Sequence, residues 1–266
     1  MSSDADPGFH VKVTREPDVK NPIFIEGLPG IGHVGRLAAR QLVLELKAKK
    51  FAVLHSDHFP PQVLIAKSGL VHTMRNDFYY WKAKKKGQRD LLFVIGNTQS
   101  ASSEGQYLLS EKILDIAEKY QPEAVLTLGG LGVGKVVEKP KVFGAVTHKR
   151  FVSELEDLGV IVRRDSIGQI IGISGLLLGM AKVRGIYGAC LMGETSGFYI
   201  DPNAANVVLK VLSAFLNVPL DAKRLIEMTK AAKKRVAEAQ RMERKMMEDL
   251  GMIRGAPGEE ELRYIG

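Results

Sequence analysis

Short apolar runs alternate with segments of helical periodicity along most of the chain, and this alternation predicts its secondary structure. The predicted strands are residues 23–26, 51–55, 91–95, 124–128, 160–163, 169–173 and 187–192. The predicted helices are residues 34–49, 104–120, 175–183 and 204–215. Strands and helices in this order are typical of an α/β domain in which helices cover both faces of a mostly parallel sheet.

The pattern changes after residue 220, where a long helical segment and then a tail follow. Residues 221–250 contain neither glycine nor proline and predict a helix of about 45 Å. Arg235 and Asp249 interrupt its 3-4 apolar spacing, so we expect it to pack on its own chain or a neighbouring subunit. The sequence thus divides into an α/β core at 1–220, a helix at 221–250 and a flexible tail at 251–266.

Composition narrows the class of protein. With 266 residues, 45% of them hydrophobic, the chain can bury a full core. Its strongest apolar run, residues 170–180, is about half as long as a membrane-spanning helix. The N-terminus shows no secretory signal, and Cys190, the only cysteine, excludes an intrachain disulfide and a thiolate zinc site. We therefore expect a cytoplasmic protein with no membrane partner.

The net charge of +8 is compatible with a nucleic acid, an acidic protein surface or simple solubility. Basic residues concentrate in three segments, 47–50, 82–86 and 223–245. These segments lack the interleaved aromatic residues that stack on single-stranded bases. The distribution of the basic residues therefore argues against a nucleic-acid partner.

Gly30, Gly32 and Gly35 form a G-x-G-x-x-G motif between a predicted strand and a predicted helix. In dinucleotide-binding folds such glycines let the backbone approach a pyrophosphate, and Asp57 stands near the position of the ribose-binding carboxylate. A tight turn with close helix packing selects the same glycines without a ligand, and Pro29 inside the turn favours that interpretation. We therefore expect the three glycines to serve packing and turn geometry.

A second glycine segment, residues 129–135, has the phosphate-loop spacing G-x-x-x-x-G-K after another predicted strand. The next residue is Val136, which cannot bind Mg²⁺ as Ser or Thr does. Pro140 then follows too soon for a phosphate-binding helix. We expect a flexible loop at the carboxyl end of the strand.

Catalytic and metal-binding signals are otherwise sparse. The candidate metal ligands are scattered along the sequence: His33, His55, Asp57 and His58. Ser174 lacks the spacing of a nucleophile elbow. Glu194 follows a predicted strand, at the sheet edge where α/β folds bind ligands, and is the best single catalytic candidate. The sequence predicts no cofactor and no metal.

Four motifs, within residues 21–225 and in this order, carry a family resemblance: FIEGLPGIGHVG (24–35), LTLGG (126–130), IGISGLLLG (171–179) and CLMGET (190–195) with DP (201–202). The chain resembles the archaeal branch of the proteasome assembly chaperone family. This resemblance implies a three-layer αβα fold related to nucleoside phosphorylases. It also implies homo-oligomerisation and binding to proteasome α subunits or to proteasome-associated proteins.

The resemblance also concerns the C-terminal tip. Some archaeal members end in a hydrophobic-Tyr-any tripeptide whose tyrosine and terminal carboxylate dock between α subunits. Here Tyr264 is third from the end, which displaces its ring from the Gly266 carboxylate by about 3.3 Å. The shift implies weaker docking, or a paralogous type whose partner need not be the proteasome itself. Leu262, Tyr264, Ile265 and Gly266 remain the predicted partner-binding residues, because apolar groups are unusual on a flexible tail.

The sequence as a whole therefore predicts a homo-oligomeric protein-binding scaffold or chaperone that is not an enzyme. One alternative is a nucleotide- or nucleoside-handling enzyme that uses the loop from Gly27 to Gly35, with Glu194 as acid or base. Another is a basic nucleic-acid binder whose affinity falls steeply with salt.

Overall fold

The structure, a computed structural model, describes residues 8–163, 168–218 and 220. Within them the strands are β1 (Phe9–Val13), β2 (Ile23–Gly27), β3 (Lys49–Ser56), β4 (Val63–Ile65), β5 (Val71–Thr73), β6 (Asn76–Trp81), β7 (Leu91–Gly96), β8 (Ala124–Gly132), β9 (Val142–Val146) and β10 (Gly188–Thr195). The helices are α1 (Val34–Leu46), α2 (Ser103–Glu118), α3 (Arg150–Asp157), α4 (Ile173–Val183) and α5 (Pro202–Phe215). A short 3₁₀ turn, Ile31–His33, precedes α1.

Eight of these strands form one sheet in the order β1-β3-β6-β7-β2-β8-β10-β9. The four adjacent strands β7, β2, β8 and β10 are parallel, and antiparallel strands flank them on both sides. Strand β3 runs in the same direction as these four strands, so five of the eight strands share one direction. The mostly parallel sheet predicted from the sequence is confirmed, and the flanking antiparallel strands are additional. The hairpin β4–β5 forms a separate two-stranded sheet.

Helices cover both faces of the sheet because successive strand side chains point in opposite directions. On β2, Ile25 packs in the core layer beneath α1 and α5, whereas Phe24 packs in the layer beneath α2 and α4. The helices of each pair also contact each other. The result is the predicted three-layer αβα fold.

Three predicted elements differ from the structure. Helix α1 ends at Leu46 rather than residue 49, because Lys47 has a left-handed φ of 52° and β3 begins at Lys49. Residues 160–163 form no strand, and Ile161 makes only an isolated bridge to Phe143. Residues 169–172 are also not a strand, since the apolar run from Ile173 onward is the buried side of α4.

The predicted helix at 221–250 and tail at 251–266 lie outside the described residues. Among the residues that the structure does describe, no helix has the length and apolar character needed to cross a membrane.

Candidate functional site

The glycine loop between β2 and α1 contacts the protein itself. Gly32 has a φ of 61°, in the left-handed region that favours glycine. A Cβ on Gly35 would lie 2.0 Å from the Leu128 carbonyl oxygen, so α1 approaches β8 closely at this point. By contrast, Gly30 has extended backbone, and a Cβ there would meet only Gln99 Nε2 at 3.9 Å. Packing and turn geometry therefore account for Gly32 and Gly35 but, contrary to expectation, not for Gly30.

Two residues that are distant in sequence, Thr195 and Asp201, hold this loop through hydrogen bonds and packing. The Asp201 amide donates to the Gly32 carbonyl at 2.9 Å, and Thr195 Oγ1 donates to Asp201 Oδ2 at 2.8 Å. The other oxygen of Asp201 accepts from the first amides of α5 and caps that helix. Thr195 and Asp201 are both buried. These hydrogen bonds join the first of the four motifs to the last one and hold the glycine turn in place.

Strand β8 closes the loop from another side. A Cβ on Gly130 would lie 2.3 Å from the Ile31 carbonyl oxygen, so β8 and the 3₁₀ turn are in close backbone contact. A pyrophosphate needs open space in front of the helix that follows such a loop. Here Gly130 and Thr195 pack against the turn at Ile31 and Gly32 instead. The loop has the sequence of a dinucleotide site but is packed as a structural turn.

Asp57 does not occupy the position of a ribose-binding carboxylate. Its strand, β3, is separated from β2 by β6 and β7, whereas the dinucleotide geometry requires neighbouring strands. The Asp57 side chain is exposed, and Oδ1 lies 3.9 Å from His10 Nε2. The order of the sheet, which the sequence did not reveal, therefore removes this residue from the glycine loop.

The second glycine segment is not a loop over most of its length. Gly129, Gly130 and Gly132 belong to β8 and pair with β10 up to Thr195. The Val133 amide continues this pairing by donating to the Thr195 carbonyl at 2.9 Å. The expected flexible loop at 129–135 is wrong in this part, because regular strand pairing extends through the glycines.

The histidines have local contacts rather than a common centre. His55 Nδ1 lies 3.2 Å from the Met74 carbonyl oxygen, and His58 packs on the ring of Phe9. His33 precedes α1, where burial and then Arg36 lower its pKa. Over residues 8–163, 168–218 and 220, no group of three or more His, Cys, Asp or Glu side chains is placed to hold a metal ion.

Glu194 and the glycine loop lie on different sides of the sheet. Thr195 contacts Gly32, and its neighbour Glu194 must point to the opposite face, because strand side chains alternate. Glu194 accepts from the Lys141 amide at 3.3 Å, so it helps to hold the connection between β8 and β9.

Glu26 is a candidate that sequence analysis missed. It lies inside the apolar strand β2, next to its last residue, and is completely buried, with Oε1 accepting from the Leu28 amide at 2.7 Å. Burial raises the pKa of Glu26 from 4.5 to about 7, and the Leu28 hydrogen bond offsets only part of this effect. Thr127 on β8 pairs with Glu26 across the sheet. Among the described residues, neither Glu26 Oε2 nor Thr127 Oγ1 makes a hydrogen bond. The visible signal was a charged residue inside an otherwise apolar strand.

The described residues include clusters of exposed apolar side chains. One is the β4–β5 hairpin, where the following side chains are 43–73% exposed: Val63, Leu64, Ile65, Leu70 and Val71. Another lies beside the glycine loop, where Ile31 contacts Gly197 and neighbouring Phe198 is 78% exposed. Exposed apolar patches of this kind are typical of protein–protein contacts. The predicted partner-binding residues Leu262, Tyr264, Ile265 and Gly266 lie outside the described part of the chain.

These features define an α/β protein with enzyme-like turns that are filled by its own side chains and backbone. The chain belongs to the PAC2 family, whose model matches residues 24–240. The resemblance to archaeal proteasome assembly chaperones seen in the sequence is thereby confirmed.

Two solved structures and one curated relative resemble the chain along nearly its whole length. Pyrococcus furiosus PbaB, an archaeal proteasome activator, is 40% identical with a TM-score of 0.82, over 88% of this chain and 99% of its own. Pyrococcus furiosus PbaA, an archaeal homolog of proteasome-assembly chaperone, is 30% identical with a TM-score of 0.70, over 91% and 99%. The uncharacterized protein MJ1210 of Methanocaldococcus jannaschii is 42% identical over 255 residues, 96% of each chain.

Proposed function

We propose that this protein is a homo-oligomeric scaffold or chaperone that binds proteasome α subunits or a proteasome-associated protein through its C-terminal tail. The observation that carries the proposal is the likeness to PbaB and PbaA across almost the whole chain. One of these relatives is described as a proteasome activator and the other as a homolog of a proteasome-assembly chaperone. Protein binding, rather than catalysis, is the activity that both descriptions have in common.

The glycine loop supports this proposal over the nucleotide-handling alternative. Thr195 and Asp201 hold the loop, and Glu194 points to the other face of the sheet. The Gly32 carbonyl already accepts a hydrogen bond from the buried Asp201, so this part of the turn has its partner within the protein. A structural turn without a ligand is therefore the simpler account of the motif.

Exposed apolar residues of the described core support self-association. The β4–β5 hairpin carries five such side chains and forms a two-stranded sheet of its own. Burying this surface against another copy would remove it from water, which is favourable by about 25 cal/mol per Å² of apolar area. We propose that the core, residues 1–220, forms the oligomer, with the helix at 221–250 and the tail at 251–266 as its binding arm.

Several tails on one oligomer would make docking multivalent. A 16-residue flexible tail has an r.m.s. reach of about 20–24 Å. Once one tip is bound, the second binds from a high effective concentration, so tips that are individually weak suffice. Multivalent docking therefore remains effective even when the displacement of Tyr264 weakens each single contact.

Removing Tyr264, Ile265 and Gly266 is expected to weaken capture of the partner by about 2 kcal/mol or more, roughly 30-fold, because Tyr264 is the aromatic anchor. The measurement is surface plasmon resonance with purified archaeal 20S proteasome, and separately with partners recovered from lysate. A matched control replaces Glu259, Glu260 and Glu261 by Gln, which changes the tail's charge and keeps its tip.

Light scattering should give the same closed oligomer for the intact and shortened chains, because the deleted residues lie beyond the core. A monomer at micromolar concentration would contradict the oligomer. Unchanged binding to both kinds of partner would contradict docking through the tip and leave the core surface as the only binding site.

A further inference from the structure

The loop between β10 and α5 holds apolar side chains in water at a fixed position. Near its start, the Phe198 amide donates to the Ser196 hydroxyl at 3.4 Å. At its end, the Asp201 amide donates to the Gly32 carbonyl at 2.9 Å. Between these two hydrogen bonds, Phe198 is 78% exposed and Ile200 is 52% exposed. A fixed aromatic side chain binds a partner at little cost in conformational entropy, which makes this loop a candidate binding element.

Ile31 adds a third apolar side chain to the same surface. A Cβ on Gly197 would lie 3.5 Å from Ile31 Cγ2, so Ile31 contacts the loop one residue before Phe198. Its neighbour Gly32 accepts a hydrogen bond from the residue that follows Ile200. Ile31 is itself 48% exposed. The three side chains therefore belong to one surface at the carboxyl edge of the sheet, where β8 and β10 end.

The connection between β8 and β9 begins and ends beside this surface. It leaves β8 at Gly132, and a Cβ on Gly197 would lie 3.7 Å from the Gly132 Cα. It returns at Lys141, whose carbonyl accepts from the Glu194 amide at 2.9 Å near the end of β10. Both ends of the connection are therefore anchored at the base of the apolar loop.

This connection presents lysines to solvent. Lys135 Cα lies within about 11 Å of Gly132 Cα, since three peptide units join them. Within residues 133–141 three lysines stand against one carboxylate, Glu138, while Glu194 at the end of the connection is half-buried and already accepts the adjacent amide. The three lysines are all exposed: Lys135, Lys139 and Lys141. We call them, together with Ile31, Phe198 and Ile200, the carboxyl-edge patch.

We propose that the carboxyl-edge patch binds the C-terminal tip of its own chain, residues 259–265. The tip combines three acidic side chains with three apolar ones: Glu259, Glu260, Glu261, Leu262, Tyr264 and Ile265. The glutamates complement the lysines of the patch, and the apolar residues gain from burial against Phe198 and its neighbours. Tyr264 is the anchor, because aromatic residues contribute most to the binding energy of small interfaces.

The chain is long enough for the tip to reach the patch. Helix α5 begins beside the patch at Pro202 and ends at Phe215, about 21 Å away. Residues 221–266 follow, and a helix of about 45 Å packed back along α5 would carry residue 250 about 24 Å beyond the patch. The tail covers that distance, because its r.m.s. reach is about 20–24 Å. A tethered tip also has a high effective concentration, so a weak contact suffices.

The β4–β5 hairpin fits the tip less well, although it also exposes apolar residues. Residues 63–73 contain one lysine, Lys67, and one histidine, His72. The hairpin therefore offers no counterpart to three consecutive glutamates. It is the matched control surface, because it resembles the carboxyl-edge patch in exposed apolar residues but not in charge.

A tip held on its own core is withheld from any partner, so this contact is autoinhibitory. A partner protein has to compete with the carboxyl-edge patch for Tyr264 and Ile265. The contact is separate from docking on the proteasome, because it can be measured with the isolated protein.

The test is fluorescence anisotropy with full-length protein and a labelled peptide of residues 259–266. The variant Tyr264→Ser/Ile265→Ser disables the competing tip and should bind the peptide at least fivefold more tightly than the wild type. Adding Phe198→Ser/Ile200→Ser to this tip variant should weaken peptide binding at least tenfold, because the apolar part of the patch is then lost.

The control adds Leu64→Ser/Ile65→Ser, on the hairpin, to the tip variant and should change the affinity less than twofold. Lys135→Gln/Lys139→Gln should weaken binding at least threefold, and the difference should shrink at high salt. All these side chains are exposed, so each variant should melt within about 2 °C of its parent.

Disulfide trapping shows whether the tip and the patch belong to one chain. Mild oxidation of Tyr199→Cys/Arg263→Cys should link the two positions within one chain, at least threefold faster than Leu70→Cys/Arg263→Cys on the hairpin; the native Cys190 is buried. The proposal is overturned if the peptide does not bind the tip variant, if the wild type binds it equally well, or if the hairpin and patch substitutions have equal effects. A disulfide between two chains would overturn the assignment to the same chain and give the tip to a neighbouring copy.

Discussion

Replacing Glu26 by Gln should stabilise the protein by about 3 kcal/mol at pH 8 and change its stability little below pH 4. Burial raises the pKa of Glu26 from 4.5 to about 7 in the folded state. A shift of this size corresponds to about 3 kcal/mol, because each pKa unit is worth about 1.4 kcal/mol. Glutamine has the same shape, keeps an oxygen for the Leu28 amide and carries no charge.

The pH dependence follows from the direction of the shift. Below the unfolded pKa of 4.5, the carboxyl group is protonated in both states and carries no penalty. As the pH rises towards about 7, the unfolded chain ionises first and gains stability relative to the folded protein. Above that pH the folded protein holds a buried carboxylate, and the loss of stability is complete.

The measurement is urea unfolding of wild type and Glu26→Gln at several pH values between 4 and 8. The difference between the two profiles isolates Glu26, because every other titrating group is common to both proteins. It should grow through this range and then level off. Parallel profiles would mean that Glu26 is not the buried acid described here.

Replacing Gly35 by Ala should destabilise the fold by about 3 kcal/mol or more. The added Cβ would overlap the Leu128 carbonyl oxygen at 2.0 Å, and neither partner is a flexible side chain. Helix α1 would have to move away from β8, which disturbs the core layer between them. Forced overpacking in a core typically costs 1–3 kcal/mol, and overlap of two backbone segments belongs at the upper end.

Gly30→Ala is the matched control for this prediction. Gly30 belongs to the same motif but is exposed and extended, and an added Cβ would lie 3.9 Å from Gln99 Nε2, so the change should stay within about 0.5 kcal/mol. Thermal and chemical unfolding of both variants would measure the contrast. Equal losses at the two glycines would contradict the assignment of close packing to Gly35 alone.

The central strands and the helices beside them could be predicted from the sequence because their patterns are local. The apolar run at β2 and the 3-4 spacing of α1 are each confirmed to within a few residues. The strand assignment at 169–173 failed because a short apolar run fits a buried strand and a buried helix equally well. Only the packing of Ile173 and Leu177 against the sheet distinguishes the two.

The order of the sheet could not be predicted from local patterns. Two strands, β6 and β7, separate β3 from β2, although β3 is the next strand after β2 in the chain. That insertion removes Asp57 from the glycine loop. The order depends on pairings between residues that are distant in sequence.

The contacts that hold the glycine loop could not be predicted from its motif. Its sequence matched a dinucleotide fingerprint, and Gly32 and Gly35 have the conformational and packing roles expected of such glycines. The loop is held by a hydrogen bond from the Asp201 amide to the Gly32 carbonyl and by Thr195, which packs against Gly32 and donates to Asp201, some 160 residues later. No spacing rule within the loop predicts them.

The proposal that the protein binds other proteins is tested most directly by thermal-shift titrations of the intact chain. One series uses ATP, NAD and adenosine, and the other uses purified archaeal 20S proteasome. A specific ligand raises the melting temperature in a saturable way. We predict no shift with any of the three small molecules and a saturable shift with the proteasome. A saturable shift with a nucleotide or nucleoside, and none with the proteasome, would contradict the protein-binding account and restore the enzyme alternative.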